Sequence, residues 1–506
     1  MPSPTREPST YLSRPPGVPV DPALREKVLQ VLLDPALAHV VELVAWADGD
    51  HVHAATARGE ARVRRDDPAA PHEVLRGDDP LARQDPLALT PWAAEEAMPR
   101  PTGATQHFPH AGPRLASAFV DPARSPDLAV VHTDAHHWPE RGGHLGEHGS
   151  LGVLQSRAPF LLSGAGVTQR GVLADSARTV DVMPTLAALA GVPAAELQGL
   201  DGRARTDLAA PHPVPAYVVG LLWDGANGQD LLHLAQTGEL PAVARLLERG
   251  CALAGGAVAE FPSVTLANHT SALTGVGPGR HGIVNNEFFD RETQQAVVAN
   301  GAATWHTACE LLRPGVRTLW EVVSTARPGV RTACVDDPVD RGATYSTFAL
   351  VRATGSSDGA KGLGDRLPDA RQDPHADQEW VRRNPDYAWS TQVDGMGLQQ
   401  LLDLWSAPEG PPALTWCNTT LTDSAHHAGG PRSPQARAGL RDSDRRLGVW
   451  LDLVESLGLL DRVTILLTAD HGMAGGDPAC TGDWDEALRA AGIPFRDEAY
   501  GWIYLG

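Results

Sequence analysis

Three short apolar runs beyond residue 216 each lead to an aspartate, and this recurrence constrains the fold more than any other feature. Residues 217–223 run straight into Asp224, and residues 413–421 lead to Asp423, with His427 four positions further on. Residues 463–469 end at the adjacent pair Asp470 and His471. The runs are mostly apolar and do not alternate strictly, as suits strands buried on both faces, and helical patterns separate them, for example over residues 240–249 and 441–457. This alternation predicts an α/β fold with a mostly parallel sheet covered on both sides by helices. In such sheets ligands bind beyond the carboxyl ends of the strands, which is where these aspartates stand. A fourth run, residues 127–132, opens into a His-rich loop that carries His148. Carboxylates together with imidazoles are the donor set expected for Zn²⁺, with Mn²⁺ as the rival.

A hydroxyl belongs with these groups. Phe261-Pro262-Ser263-Val264 forms a turn into Thr265, and a short helical run over residues 266–274 stops at Gly275. Thr265 is therefore expected at the positive end of a helix, where an anion or an alkoxide is favoured. A threonine hydroxyl is a weak nucleophile at neutral pH and needs a base or a metal to activate it.

The remaining chain reads as scaffold. Its 506 residues suffice for one large α/β domain with insertions, or for two or three ordinary domains. Residues 1–20 are polar and Pro-rich and read as a disordered tail without the apolar core of a signal peptide. Residues 21–65 suggest a helix followed by a strand, residues 61–106 loops with a short helix or two, and residues 177–191 an amphipathic helix. A Pro/Ala stretch at 207–215 is the best internal linker, and the Gly-, Pro- and charge-rich interval 290–410 is the expected cap or insertion. The formal charge of −20 argues against a nucleic-acid polymer or an anionic membrane as partner. No apolar run is long enough to span a bilayer. Five scattered cysteines without a CxxC pair suit reduced thiols, and a cytoplasmic location is expected. The oligomeric state is open.

In order along the chain, the blocks resemble the type I phosphodiesterase/nucleotide pyrophosphatase family of the alkaline phosphatase superfamily. Val219-Gly-Leu-Leu-Trp-Asp224-Gly225 is similar to the family's first metal-binding strand, and residues 261–283 are similar to its nucleophile segment throughout. Asn286 stands at the position whose amide holds a phosphate oxygen. Asp423-Ser-Ala-His426-His427-Ala-Gly-Gly-Pro431 is similar to Pro-Asp-x-x-Gly-His-x-x-Gly-Pro, with Thr422 in place of Pro and His426 in place of Gly. Asp470-His471-Gly472-Met473 matches the Asp-His-Gly-Met signature.

The resemblance implies an alkaline phosphatase-like three-layer α/β/α sandwich and two divalent ions. One ion would be held by Asp224, Asp470 and His471 with the Thr265 oxygen, the other by Asp423, His427 and His148. Thr265 would be the nucleophile, and Asn286 with the Thr265 backbone N–H would bind a phosphate oxygen. His269 and His281 belong to the pattern as structural residues. The substrate implied is a small phosphorylated molecule, a phosphodiester or nucleotide pyrophosphate. A phosphonate hydrolase, a phosphomonoesterase or a catalytically impaired binding protein are the alternatives. No Cys-x-Pro-x-Arg block of a sulfatase is present.

The family's third metal histidine lies in a His-Gly block well after Asp-His-Gly-Met, but no histidine follows His471 here. Gly146-Glu-His148-Gly149-Ser150, together with residues 158–167 and 180–186, resembles that C-terminal block from an upstream position. The resemblance therefore implies a circular permutation. Residues 21–206 would be the family's C-terminal part and residues 216–506 its N-terminal and central part. The other reading makes residues 1–200 a degenerate second domain. Placing His148 beside Asp423 distinguishes the two.

Overall fold

The computed structural model describes residues 14–97, 107–137, 143–210 and 214–506. Residues 1–13 of the expected tail and 211–213 of the expected linker lie outside the described residues. Arg14 forms an ion pair with Asp127, so residues of the tail from that point on engage the fold.

Eight strands build the central sheet, in the order Tyr345–Ser346, Thr332–Val335, Leu414–Thr419, Tyr217–Trp223, Val463–Thr468, Phe160–Gly164, Gly250–Leu253 and Gly171–Leu173. Tyr217–Trp223 is central and pairs in parallel with Leu414–Thr419 on one side and Val463–Thr468 on the other. Phe160–Gly164 alone runs antiparallel to both of its neighbours. Every residue of Val463–Thr468 is buried. Because successive side chains of a strand face opposite ways, this requires cover on both faces of the sheet.

A second, seven-stranded antiparallel sheet has the order Phe495–Glu498, Trp502–Leu505, Leu128–His132, Val41–Asp48, His51–Thr56, Gly59–Arg64 and Glu73–Gly77. No helix among the described residues is long and apolar enough to cross a membrane.

The structure alters several local expectations. Leu128–His132 is a strand, but it belongs to the second sheet, not to the sheet that presents the aspartates. The strand before Asp423 stops at Thr419, and Leu421–Gly429 is helical, so Asp423 and His427 are neighbours one helical turn apart. The helix expected over 177–191 is confined to Val182–Leu189, and only Ala188 of it is not buried. It is therefore a core helix, without a solvent face that would give it an amphipathic pattern. Within 290–410, Thr332–Val335 and Tyr345–Ser346 extend the central sheet, so that interval is partly sheet edge and partly cover.

Candidate metal centre

The sequence from Val264 to Gly275 folds as the pattern requires. A cis Phe261–Pro262 peptide precedes it, Val264 is extended, and the helix Thr265–Thr274 ends at Gly275 with φ +72°. Every residue of this helix is buried, including its polar ones. Thr265 occupies the first turn, where backbone N–H groups lack intrahelical partners. The Leu266 N–H donates to Asn286 Oδ1 at 2.9 Å. That bond fixes the amide of Asn286 and leaves its NH₂ as a donor.

The central strands bring the aspartates together. Asp224, Asp470 and His471 each offer a ligand atom, all within 4.8 Å of one another. Asp470 Oδ2 lies 3.1 Å from His471 Nε2, and Thr265 Oγ1 lies 3.4 Å from the same nitrogen. His148, Asp423 and His427 form a second group with the same closeness, His427 Nε2 standing 3.4 Å from Asp423 Oδ1. The two groups adjoin: the His148 and His471 rings stack with centroids 3.8 Å apart. Gly225, at φ +66°, permits this convergence, since a Cβ there would lie 2.8 Å from Asp423 Oδ1.

The donors suit a cation. His148 Nδ1 faces the Ser263 carbonyl at 3.0 Å, His427 Nδ1 the Gly146 carbonyl at 2.7 Å, and His471 Nδ1 the Gly472 carbonyl at 2.9 Å. A carbonyl only accepts, so each Nδ1 carries the hydrogen and each Nε2 keeps its lone pair for a ligand. Asp224 Oδ1, Asp423 Oδ1 and Asp470 Oδ2 are buried and have no hydrogen-bond partner among the described residues. Three crowded carboxylates with orphaned oxygens are costly unless a positive charge sits among them. Burial, then the charges of Asp470 and Asp423, push the Asp224 carboxyl well above its usual range. Burial and the neighbouring His471 and His427 hold His148 well below the usual histidine value, in the neutral form that binds metal. Burial opposes charge on His427 too, but Asp423, Glu147 and the Gly146 carbonyl outweigh it and raise its pKa.

His269 stands behind the carboxylates. Its Nδ1 bonds Asp337 at 2.9 Å, and its Nε2 lies 3.7 Å from both Asp224 and Asp470. Burial opposes its charge, yet Asp337, Asp224 and Asp470 together raise its pKa well above normal. His281 is remote from this cluster in its bonding: the Ile283 N–H donates to Nδ1, and Nε2 meets Ser271 Oγ at 3.1 Å. Trp223 and Trp416 are core residues.

Sequence reasoning missed several participants. Asp337 carries no motif signal; its role appears only through His269 and Trp416, whose Nε1 donates to it at 2.8 Å. Thr422 donates to the Asp224 carbonyl, a bond that a proline could not make, which gives the departure from the family pattern a local use. A cavity of about 280 Å³ opens beside Asp224, Thr265 and Asp423 and is lined by Trp305, Phe348 and Trp389, among others. These aromatics come from residues read only as a cap.

A family model described as type I phosphodiesterase / nucleotide pyrophosphatase matches residues 218–505. Human ectonucleotide pyrophosphatase/phosphodiesterase family member 7 is 26% identical over 251 residues, 49% of this chain and 46% of that protein. The alkaline phosphatase PafA of Elizabethkingia meningoseptica is 29% identical over 141 residues, 27% of this chain and 25% of that protein. The chain thus spans less than half the length of these curated relatives. Among solved structures, murine ectonucleotide pyrophosphatase/phosphodiesterase 5 aligns with TM-score 0.40 and 18% identity, covering 56% of this chain and 64% of that one.

Proposed function

The chain belongs to the type I phosphodiesterase / nucleotide pyrophosphatase family, and from that premise we propose that it hydrolyses phosphodiester or nucleotide pyrophosphate bonds through a phospho-Thr265 intermediate. The observation that supports this most is the setting of Thr265: its hydroxyl lies 3.4 Å from His471 Nε2, beside two adjoining Asp/His groups. In this reading Asp224, Asp470 and His471 hold one divalent ion, and Asp423, His427 and His148 hold the other. Bound there, Zn²⁺ or Mn²⁺ would supply Lewis acidity, lowering the hydroxyl pKa and neutralising charge on the phosphoryl oxygens.

The chain's own residues do the rest. Thr265 Oγ bonds to phosphorus as the ester or pyrophosphate oxygen departs with the bond's electron pair. Water then cleaves the Thr265–phosphate bond and restores the hydroxyl. Asn286, held by the Leu266 N–H, donates its NH₂ to a phosphoryl oxygen, and the Thr265 N–H at the helix start donates to the same group. The aromatic cavity supports a substrate with a flat apolar portion, such as a nucleoside. Its lining contains no Lys or Arg, which speaks against a small dianionic phosphonate as the preferred substrate.

We also read residues 21–206 as the family's C-terminal part in permuted order. Two placements support that reading. Phe160–Gly164 lies within the central sheet between Val463–Thr468 and Gly250–Leu253. Leu128–His132 pairs with both Trp502–Leu505 and Val41–Asp48. We also propose a reducing, cytoplasmic setting, for which the support is the sequence's five scattered cysteines without a CxxC pair.

A hydrolysis panel of a diester, a monoester, ATP and a phosphonate tests the function. Turnover fastest on the diester or ATP is expected. Turnover of the phosphonate or monoester alone would overturn the substrate class.

A further inference from the structure

A third metal-competent group lies beside the two already described. His144, Glu147 and His427 offer ligand atoms all within 4.8 Å of one another, the same closeness as in the other two groups. The His144 and His427 rings stand 4.4 Å apart between centroids. Glu147 is buried, whereas His144 and His427 are half-buried, the same mix as in the group of His148, Asp423 and His427, and less buried than Asp224, Asp470 and His471.

The backbone holds these residues firmly in place. The Leu145 N–H donates to the His427 carbonyl at 2.8 Å, and the Gly476 N–H donates to the Leu145 carbonyl at 2.9 Å. His137 Nδ1 donates to the His144 carbonyl at 2.9 Å. Residues Gly146–Glu147 pair antiparallel with Ala474–Gly475. A loop fixed at four successive residues presents its side chains in a defined geometry, not as a mobile surface tract.

His427 belongs to both groups. Its Nδ1 is committed to the Gly146 carbonyl, so a single lone pair, on Nε2, is left for a metal. One imidazole nitrogen binds one cation, and the two groups are therefore alternatives. We propose that His144, Glu147 and His427 form an alternate position for a Zn²⁺-class ion, in competition with the position at His148 and Asp423. Two imidazoles and a carboxylate are a complete set of protein ligands for an open zinc site. The position receives the ion that His427 carries whenever the group at His148 and Asp423 is incomplete. The inference rests on reading His427 as a ligand in the proposed two-ion centre.

The test is metal content by mass spectrometry, with zinc-edge anomalous scattering from crystals, on zinc-loaded protein. Wild type is expected to hold about two ions per chain. His148→Ala is expected to keep about two, the second having moved to the His144 side, and His148→Ala/His144→Ala/Glu147→Gln about one. Asp423→Asn opens the same group without touching the buried His148 and should move the ion in the same way. Loss of the second ion in both His148→Ala and Asp423→Asn, or an ion that stays at the original position in both, overturns the alternate position. A wild-type count below two instead overturns the two-ion reading of the centre, because the anomalous peak beside His144 is judged in the variants alone.

Discussion

His148 and Asp423 come from opposite halves of the chain, yet they present ligand atoms within 4.8 Å of each other. The contact is built into the architecture. Phe160–Gly164, shortly after His148, pairs with Val463–Thr468, and Gly146–Glu147 pairs with Ala474–Gly475. On the permuted reading proposed above, both halves form one domain. A variant whose chain runs residues 216–506 and then 21–206 should therefore fold and bind zinc as the natural order does. Circular dichroism and metal content would check it, and an unfolded or metal-free product would contradict the permuted reading.

Asp337 bonds His269 Nδ1 and thereby orients its Nε2 toward the Asp224 and Asp470 carboxylates. With Asp337→Asn the shape is kept, but one of the three carboxylate charges that raise the His269 pKa is removed, together with the charged partner of its Nδ1. Zinc affinity should fall by about 10- to 100-fold, as is usual when a partner behind the ligands is lost. Competition against a chromophoric chelator measures this; an unchanged affinity would mean that His269 only fills space.

His281 sets a pH dependence unrelated to metal. Burial lowers its pKa to about 3, and the Ile283 N–H pointing at Nδ1 requires the neutral ring. Below its ordinary pKa of about 6.5 the unfolded chain takes up a proton that the folded chain refuses, so stability falls as the pH falls through that value. In chelator-treated protein the urea midpoint should drop between pH 7 and pH 5. The drop should be smaller in His281→Gln, and an equal drop in both proteins would contradict the assignment.

The aromatic cavity should act on binding and not on chemistry. Trp389, 40% exposed at the cavity wall, is available to stack on a base. Stacking of a base on an aromatic side chain contributes about 1–3 kcal/mol, so Trp389→Ala should raise KM for ATP by roughly fivefold or more. KM for a methyl-substituted phosphodiester should stay within about twofold, since that substrate has no ring to stack. Steady-state kinetics on the two substrates separate these outcomes.

Much of the site was legible because strand ends and ligand types coincide. Asp224, Asp470 and His471 follow apolar runs directly, and Thr265 opens a helix closed by Gly275, so local pattern placed them. Asp423 was legible as a residue but not as a geometry. The apolar run through Leu421 hid the change from strand to helix at Thr420, because an apolar stretch of that length suits either. Leu128–His132 reads like a central strand for a related reason: its residues are all buried in the second sheet as well. The His144 group and the aromatic cavity were beyond reach, since both depend on which loops meet over the sheet. His144, among several loop histidines, carries no spacing that distinguishes it from a histidine that merely faces water.

The most direct test of the central claim is acid quenching during turnover of bis(p-nitrophenyl) phosphate, with peptide mass spectrometry of the protein. The account predicts a p-nitrophenyl phosphate adduct on Thr265, released on standing as p-nitrophenyl phosphate, and no adduct or turnover in Thr265→Ala that still holds its metal. Turnover retained in Thr265→Ala, or an adduct on another residue, would contradict it.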